Sequence, residues 1–326
     1  MATGQQYVLP ANALTKLDGL VSRIESSPGD TIDVEEFRAL QERLNVRSVL
    51  DTLPDGLSEG DFVGILKLAL LTECATETYG DAFAERARRF DAPWLARFNE
   101  RVWVPDELTH HAPYKFILMS LGYDESELDR EILHTQQIDY THRGGDTPVH
   151  VTTFGIVQEY LTDNWHGLIA ATLRRASPPA AYMATRIKRR ETLHTVWYRD
   201  MTALQVESDP RLMTFVAEAL LKFEMPGNTL VPELQHSVSR WMPLMNADFE
   251  RITRDLVRLI HETMNDTRST GALLVEIAAA RGIKLGPVSP AVIRAVIDRL
   301  GGPGYGLLGE ALLERVGLSY MFERER

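Results

Sequence analysis

Two four-residue segments constrain this chain more than anything else in it: Glu107-Leu108-Thr109-His110 and Glu191-Thr192-Leu193-His194. Both fall in stretches with the 3.6-residue apolar period of a helix. On a helix, positions three apart lie about 60° apart around the axis, so each glutamate and its histidine aim from one face at one point. A carboxylate and an imidazole converging in this way suit iron or manganese. One such pair is commonplace on a solvated helix face; two are informative because of their company. The helix before the first pair offers Thr72-Glu73, and the helix between the pairs offers Gln158-Glu159. Separations of 34, 52 and 32 residues between Glu73, Glu107, Glu159 and Glu191 fit helix–connection–helix units, with a longer crossover in the middle. A two-metal site in a four-helix bundle needs one glutamate from each of two helices and a Glu-x-x-His from each of the other two. The candidate metal ligands are therefore Glu73, Glu107, His110, Glu159, Glu191 and His194. Glu77 shares the face of Glu73 and competes with it.

Composition narrows the chemistry further. The single cysteine, Cys74, excludes an internal disulfide framework and any cysteine-rich zinc or iron–sulfur site. Whatever metal is held must be held by oxygen and nitrogen. With 35 basic against 46 acidic residues the net charge is −11, which argues against nucleic acid or anionic membranes as general partners. No basic–apolar–small leader pattern appears in Met1 to Asp30. The most apolar run, Phe62 to Leu71, is interrupted by Lys67 and is far shorter than the roughly 20 residues of a membrane span. A cytoplasmic protein without a membrane span is the expectation. Gly301-Gly302-Pro303-Gly304 lacks a preceding strand, so no bound NAD(P) or flavin is expected.

The fold class read from periodicity is all-α, without a convincing strand or repeat. Helices are expected over 33–50, from Ser58 to about Arg89, from Pro93 to about Leu121, from Val149 to Arg175 and from Ala180 to Gln205. Asp124 to Asp129 opens a short helix or turn. A loop is expected over His134 to Pro148, and Ser177-Pro178-Pro179 marks a hairpin between the two longest helices. Further helices are expected over 210–223, 245–266, 268–281, 289–300 and 304–316. This reading gives one domain over 1–326: a metal-binding bundle at about 55–206, extra N-terminal helices, and a helical C-terminal extension at about 207–326.

At these residues the sequence resembles the soluble acyl-carrier-protein desaturases, ferritin-like di-iron proteins, in their actinobacterial-type branch. Residues 72–79, Thr-Glu-Cys-Ala-Thr-Glu-Thr-Tyr, resemble the family's T-E-E-A-x-x-T-Y stretch. Trp103-Val104-Pro105-Asp106-Glu107-Leu108-Thr109-His110 is similar to W-T-A-E-E-N-R-H. Phe154 to Gly167, with Gln158-Glu159, Thr162 and His166-Gly167, is similar to F-Q-E-x-x-T-x-x-x-H-G. Glu191 to His194, continued by Val196, Tyr198 and Arg199, resembles E-N-L-H-x-V-x-Y-R, and Phe223 to Gly227 stands at the family's Met-Pro turn. The resemblance covers roughly residues 60 to 245. It implies a ferritin-like bundle holding two iron ions, with dioxygen as co-substrate. The implied activity is desaturation of an acyl chain carried by acyl carrier protein, in fatty acid biosynthesis and lipid metabolism. A ferredoxin-type electron donor and a homodimer are implied as well. Thr162 becomes a candidate proton-relay hydroxyl, or simply a hydroxyl bonded to its own helix. Trp103 is a candidate for the electron route, or plain core.

Other readings weigh against these. A ferritin-like di-iron hydroxylase or N-oxygenase of a biosynthetic intermediate shares the same ligands, and an iron-storing ferritin-like protein is a third possibility. His166 reads as a surface or hairpin-end histidine ahead of a catalytic one, while His111, His134, His142 and His150 read as solvated or structural. Cys74 reads as a small packed hydrophobe. Lys188-Arg189-Arg190 stands where many family members have small residues and an acid that bonds the first-motif histidine, so the outer contact of His110 is expected to differ from the family's. Pro105 is unusual inside a helix, and His111 replaces a glycine. Docking an acidic carrier requires a local positive patch; the candidates are Arg86, Arg88 and Arg89, or Arg174 and Arg175 with Arg186, Lys188 and Arg189.

Overall fold

The computed structural model describes residues 7–264 and 267–280. Among them every regular element is helical. The expected helices 289–300 and 304–316 lie outside the described residues, as does the glycine-rich segment 301–306.

The N-terminal part comprises α1 (Ala11–Ser26), α2 (Val34–Leu40) and α3 (Arg47–Leu50). The sequence predicts one helix over 33–50, but a 3-10 turn at Gln41–Arg43 and an extended Leu44 divide it. Buried Val46 follows Leu44 at a spacing of two, which a helical stripe cannot accommodate.

The bundle begins with α4 (Glu59–Glu73), started by a reciprocal capping box between Ser58 and Asp61. The helix expected to run on to Arg89 breaks at Cys74-Ala75 and resumes as α5 (Thr76–Arg89). Threonine hydroxyls supply the break: Thr76 Oγ1 donates to the Glu73 carbonyl (2.8 Å) and Thr78 Oγ1 to that of Ala75 (2.7 Å). The segment expected as one helix from Pro93 to Leu121 is likewise divided. It runs as α6 (Pro93–Phe98), a π-helical turn at Asn99–Trp103, α7 (Val104–Glu107) and α8 (His111–Leu121). Pro105 brings no N–H to the ladder, and the wider turn sits immediately before it. Gly122, at φ +104°, ends α8 in the left-handed conformation that glycine adopts without cost.

Next, α9 (Glu125–Gln136) takes three residues from the expected 134–148 loop. The two long helices, α10 (Pro148–Leu173) and α11 (Pro178–Ser208), follow, each with proline in the first turn. They form the most extensively packed pair in the described structure. α4 packs on α8, α8 on α11, α11 on α10 and α10 on α4, which closes a four-helix ring of ferritin-like kind. C-terminal to the ring lie α12 (Met213–Lys222), three short helices α13 (Gly227–Leu230), α14 (Pro232–Gln235) and α15 (Val238–Leu244), then α16 (Phe249–Thr263) and α17 (Thr267–Ala280). The periodicity left 224–244 without a helix, because proline at 226, 232 and 243 leaves only pieces of four to seven residues. No helix among the described residues is long and apolar enough to cross a membrane.

Candidate metal centre

α10 is apolar almost all round, as a helix buried on every side must be, yet Glu159 lies at its centre, 3% exposed. Around it the ring brings Glu73 from the end of α4, Glu107 from α7, His110 from the turn after α7, and Glu191 and His194 from mid-α11. All are buried, and neither histidine has any accessible surface. That turn is tight: Thr109 N–H donates to Asp106 (3.0 Å) and His110 N–H to Glu107 (2.9 Å). Asp106, Glu107 and His110 thereby all face inward.

The donor atoms fall into two groups that share members. Glu73, Glu107, His110 and Glu191 offer one set of atoms, and Glu107, Glu159, Glu191 and His194 the other, each within 4.8 Å of one another. His110 Nδ1 lies 2.8 Å from Glu191 Oε1 and 3.2 Å from Glu107 Oε2. His194 Nδ1 lies 2.6 Å from Glu107 Oε1 and 3.6 Å from Glu191 Oε2. Glu107 and Glu191 thus stand between the groups, while Glu73 and Glu159 cap the two ends. Glu77 is exposed and contributes nothing here.

These residues fit a pair of metal ions. Glu107 Oε1, both Glu191 oxygens, His110 Nδ1 and His194 Nδ1 are all buried without a hydrogen-bond partner. Left so, each would cost on the order of 1–3 kcal/mol or more. Oxygen and imidazole donors with four carboxylates suit two divalent ions of the iron or manganese type. The electrostatics are those of a crowded buried cluster. Burial, together with Glu191 and Glu107, raises the Glu73 carboxyl despite the opposing His166. Burial and the charges of Glu107 and Glu191 push Glu159 well up. For Glu191 burial acts upward too, but His110 and His194 outweigh it and hold the group well below the usual range.

Around the donors, Asp106 Oδ2 lies 2.7 Å from His194 Nε2 and 2.7 Å from Arg190 Nε. It is 3.7 Å from His110 Nε2, too long for a hydrogen bond, so the outer nitrogen of His110 has no partner while that of His194 has a carboxylate. Trp103 Nε1 donates to Glu159 Oε1 at 3.1 Å, so this indole holds a carboxylate in place rather than serving only as core. Thr162 is buried, and its hydroxyl divides between the carbonyls of Gln158 and Glu159, each at 3.1 Å.

His166 is a correction to the sequence reading. It is not a surface or hairpin-end residue but is fully buried, with Nε2 3.2 Å from Glu73 Oε1 and Nδ1 against the Tyr114 hydroxyl. Its spacing of seven from Glu159, two helical turns on the same face, is the signal that could have placed it. Of the remaining histidines, His134 is exposed. His142 and His150 are buried: His150 closes the N-terminal cap of α10 with Thr147, and burial next to Arg86 pushes His142 down to about 3. Cys74 is buried, as expected.

A cavity opens from the cluster between α4, α10 and the C-terminal turns. Glu73, itself a candidate donor, lines it with Thr72, Gln158, Thr162 and Pro226. Farther out its walls are Leu68, Leu161, Trp165, Met225, Val238 and Met242. The turn 225–227 therefore has a place in the site, closing the cavity over α4. Among the surface cations, Arg186 pairs with Asp30 (2.9 Å) and the Thr31 carbonyl, Lys188 pairs with Asp163 (2.8 Å), and Arg86 is buried against the carbonyls of His142 and Gly145. Arg88, Arg89, Arg174, Arg175 and Arg189 remain exposed.

No curated protein matches this chain. A family model described as fatty acid desaturase matches residues 48–250, a span that holds all six candidate ligands, His166 and the turn at 225–227. With the match covering more than half of its residues, the chain belongs to the fatty acid desaturase family.

Proposed function

We propose that this protein is a dioxygen-dependent di-iron desaturase of carrier-bound acyl chains, of the acyl-carrier-protein type. The observation that carries the reading is the pair of overlapping Glu/His groups set against a cavity with apolar outer walls. Glu73, Glu107, His110, Glu159, Glu191 and His194 would hold two iron ions, which when bound would supply reduction of dioxygen and removal of hydrogen from an unactivated methylene, beyond the reach of any side-chain acid or base. The balanced reaction takes a CH2–CH2 unit, dioxygen, two electrons and two protons to CH=CH and two waters.

The protein's own residues orient and shield. Leu68, Leu161, Trp165, Val238 and Met242 would hold an acyl chain and exclude water, leaving its reacting carbons near Glu73 and Thr162. The Thr162 hydroxyl, now on helix carbonyls, stands one turn from Glu159 and can turn to hold a proton beside the donors. His166 Nε2 can do the same at Glu73 Oε1. Trp103, whose indole donates to Glu159, would serve electron entry. A carrier protein, being acidic, would dock on the exposed arginines Arg174 and Arg175 at the α10–α11 turn and Arg189 farther along α11, since the chain as a whole repels it at −11. A ferredoxin-type donor, a homodimer and a cytoplasmic setting complete the proposal.

The test is product mass. Iron-loaded enzyme with ferredoxin, its reductase and a panel of acyl carrier proteins should yield acyl chains lighter by two hydrogens. A gain of one oxygen would assign the protein to the hydroxylases instead. With two irons bound, absence of both products would overturn the oxidative reading.

A further inference from the structure

Arg190 is a charged side chain in the interior of the bundle, 1% exposed, directly before the ligand Glu191. A buried guanidinium needs its charge answered, and here the charge and two of the three nitrogens are, while Nη2 has no partner. Its Nε donates to Asp106 Oδ2 at 2.7 Å, and its Nη1 donates to the Pro28 carbonyl at 2.8 Å. Its Cζ lies 5.4 Å from the centre of the Trp197 ring, a cation over an aromatic face. The segment that supplies Pro28 is itself shaped for this contact. Gly29, at φ +81°, passes so close that a Cβ there would come within 3.1 Å of Arg190 Nη1. Asp106 Oδ2, on its other side, bonds His194 Nε2. The guanidinium is therefore one residue removed from the donor cluster and linked to it through a single carboxylate oxygen.

Charge makes that position consequential. Glu73, Glu107, Glu159 and Glu191 together match two divalent ions. Asp106 adds one further buried negative charge, and Arg190 is the cation that touches it. We propose that Arg190 is a positioning residue of the metal pair. It fixes Asp106 on His194 and neutralises it, so that the four glutamates alone balance the metals, and the contact with Pro28 fastens the N-terminal segment over this charge pair. This rests on the reading that metals occupy the cluster. In a low-dielectric interior an uncompensated carboxylate beside the imidazole favours the more oxidised, more positive metal pair.

The experiment is a redox titration of the iron-loaded protein, followed optically, for the wild type, R190Q, R190K, D106N and D106N/R190Q. Iron content and far-UV circular dichroism are measured for each. R190Q should shift the midpoint to more negative potential and D106N to more positive potential. The double variant should return close to the wild type, and R190K should stay close to the wild-type midpoint. A purely structural arginine would lower iron content and thermal stability without moving the potential of the metal that remains. If R190Q holds two irons at the wild-type midpoint, the inference is overturned while the di-iron reading stands. If R190Q does not fold, the double variant decides: a midpoint displaced as far as that of D106N alone overturns the proposal. Failure of the wild type to bind iron would instead overturn the di-iron reading itself.

Discussion

Two glycines on α10 should respond to the same substitution with opposite signs. Gly155, one turn before Glu159, faces Tyr198, one turn after His194; a Cβ at 155 would lie 2.5 Å from Tyr198 Cγ and Cδ2. The ring cannot yield, since Tyr198 is 1% exposed and stands edge-on to Phe98 at 5.3 Å. Gly155→Ala therefore gains about 1 kcal/mol of helix propensity but incurs overpacking near the top of the usual range, roughly 3 kcal/mol, for a net loss of about 2 kcal/mol. At Gly167 the nearest atoms are Lys188 Cε at 3.2 Å and Cδ at 3.5 Å, the movable end of a long side chain. Gly167→Ala should keep most of its propensity gain and stabilise by up to about 1 kcal/mol. Urea unfolding of the metal-free variants, followed by circular dichroism, should separate the two by about 3 kcal/mol. Because relief at 155 comes only by parting the helices that carry Glu159 and His194, iron content should fall in Gly155→Ala and stay intact in Gly167→Ala. Equal stabilisation by both would refute the close approach of α10 and α11 and the geometry built on it.

The shared carboxylates give a graded expectation: Glu107→Ala and Glu191→Ala should weaken both metal positions, whereas Glu73→Ala and Glu159→Ala should each leave one donor group complete, as metal analysis of the purified proteins would show. Asp61 is held well below its usual range chiefly by Arg240, against the pull of burial and with help from Trp241 and Ser58. A depressed carboxyl contributes stability above its unfolded pKa of about 3.9, and loses it as pH falls through the lower folded value. The stability deficit of Asp61→Asn should therefore be full at neutral pH and shrink below about pH 4, as denaturant melts across pH would reveal. Cys74, 1% exposed, should resist thiol reagents in the native protein and react at once in denaturant; ready labelling of folded protein would contradict its packing.

The amino-acid sequence determined the helical class, the two long helices and their proline-marked turn, because apolar period, caps and proline act within a few residues. It also brought forward Glu107/His110 and Glu191/His194, since a spacing of three on a helix is itself a geometric statement. Local signals misjudged the breaks at Cys74-Ala75 and at the π-helical turn 99–103, where threonine hydroxyls and a missing proline N–H decide what apolar periodicity does not register. What surrounds the six candidates was decided by tertiary structure alone. His166 meets Glu73 across 93 residues of chain, Trp103 meets Glu159 across 56, and Arg190 meets Asp106 across 84 and Pro28 across 162. Glu77 and Glu73 are alike in sequence, and only the ring of helices makes one buried and the other exposed. A helix face is a local property of the chain, whereas the partner of a buried charge is set by whichever distant segment the fold brings against it.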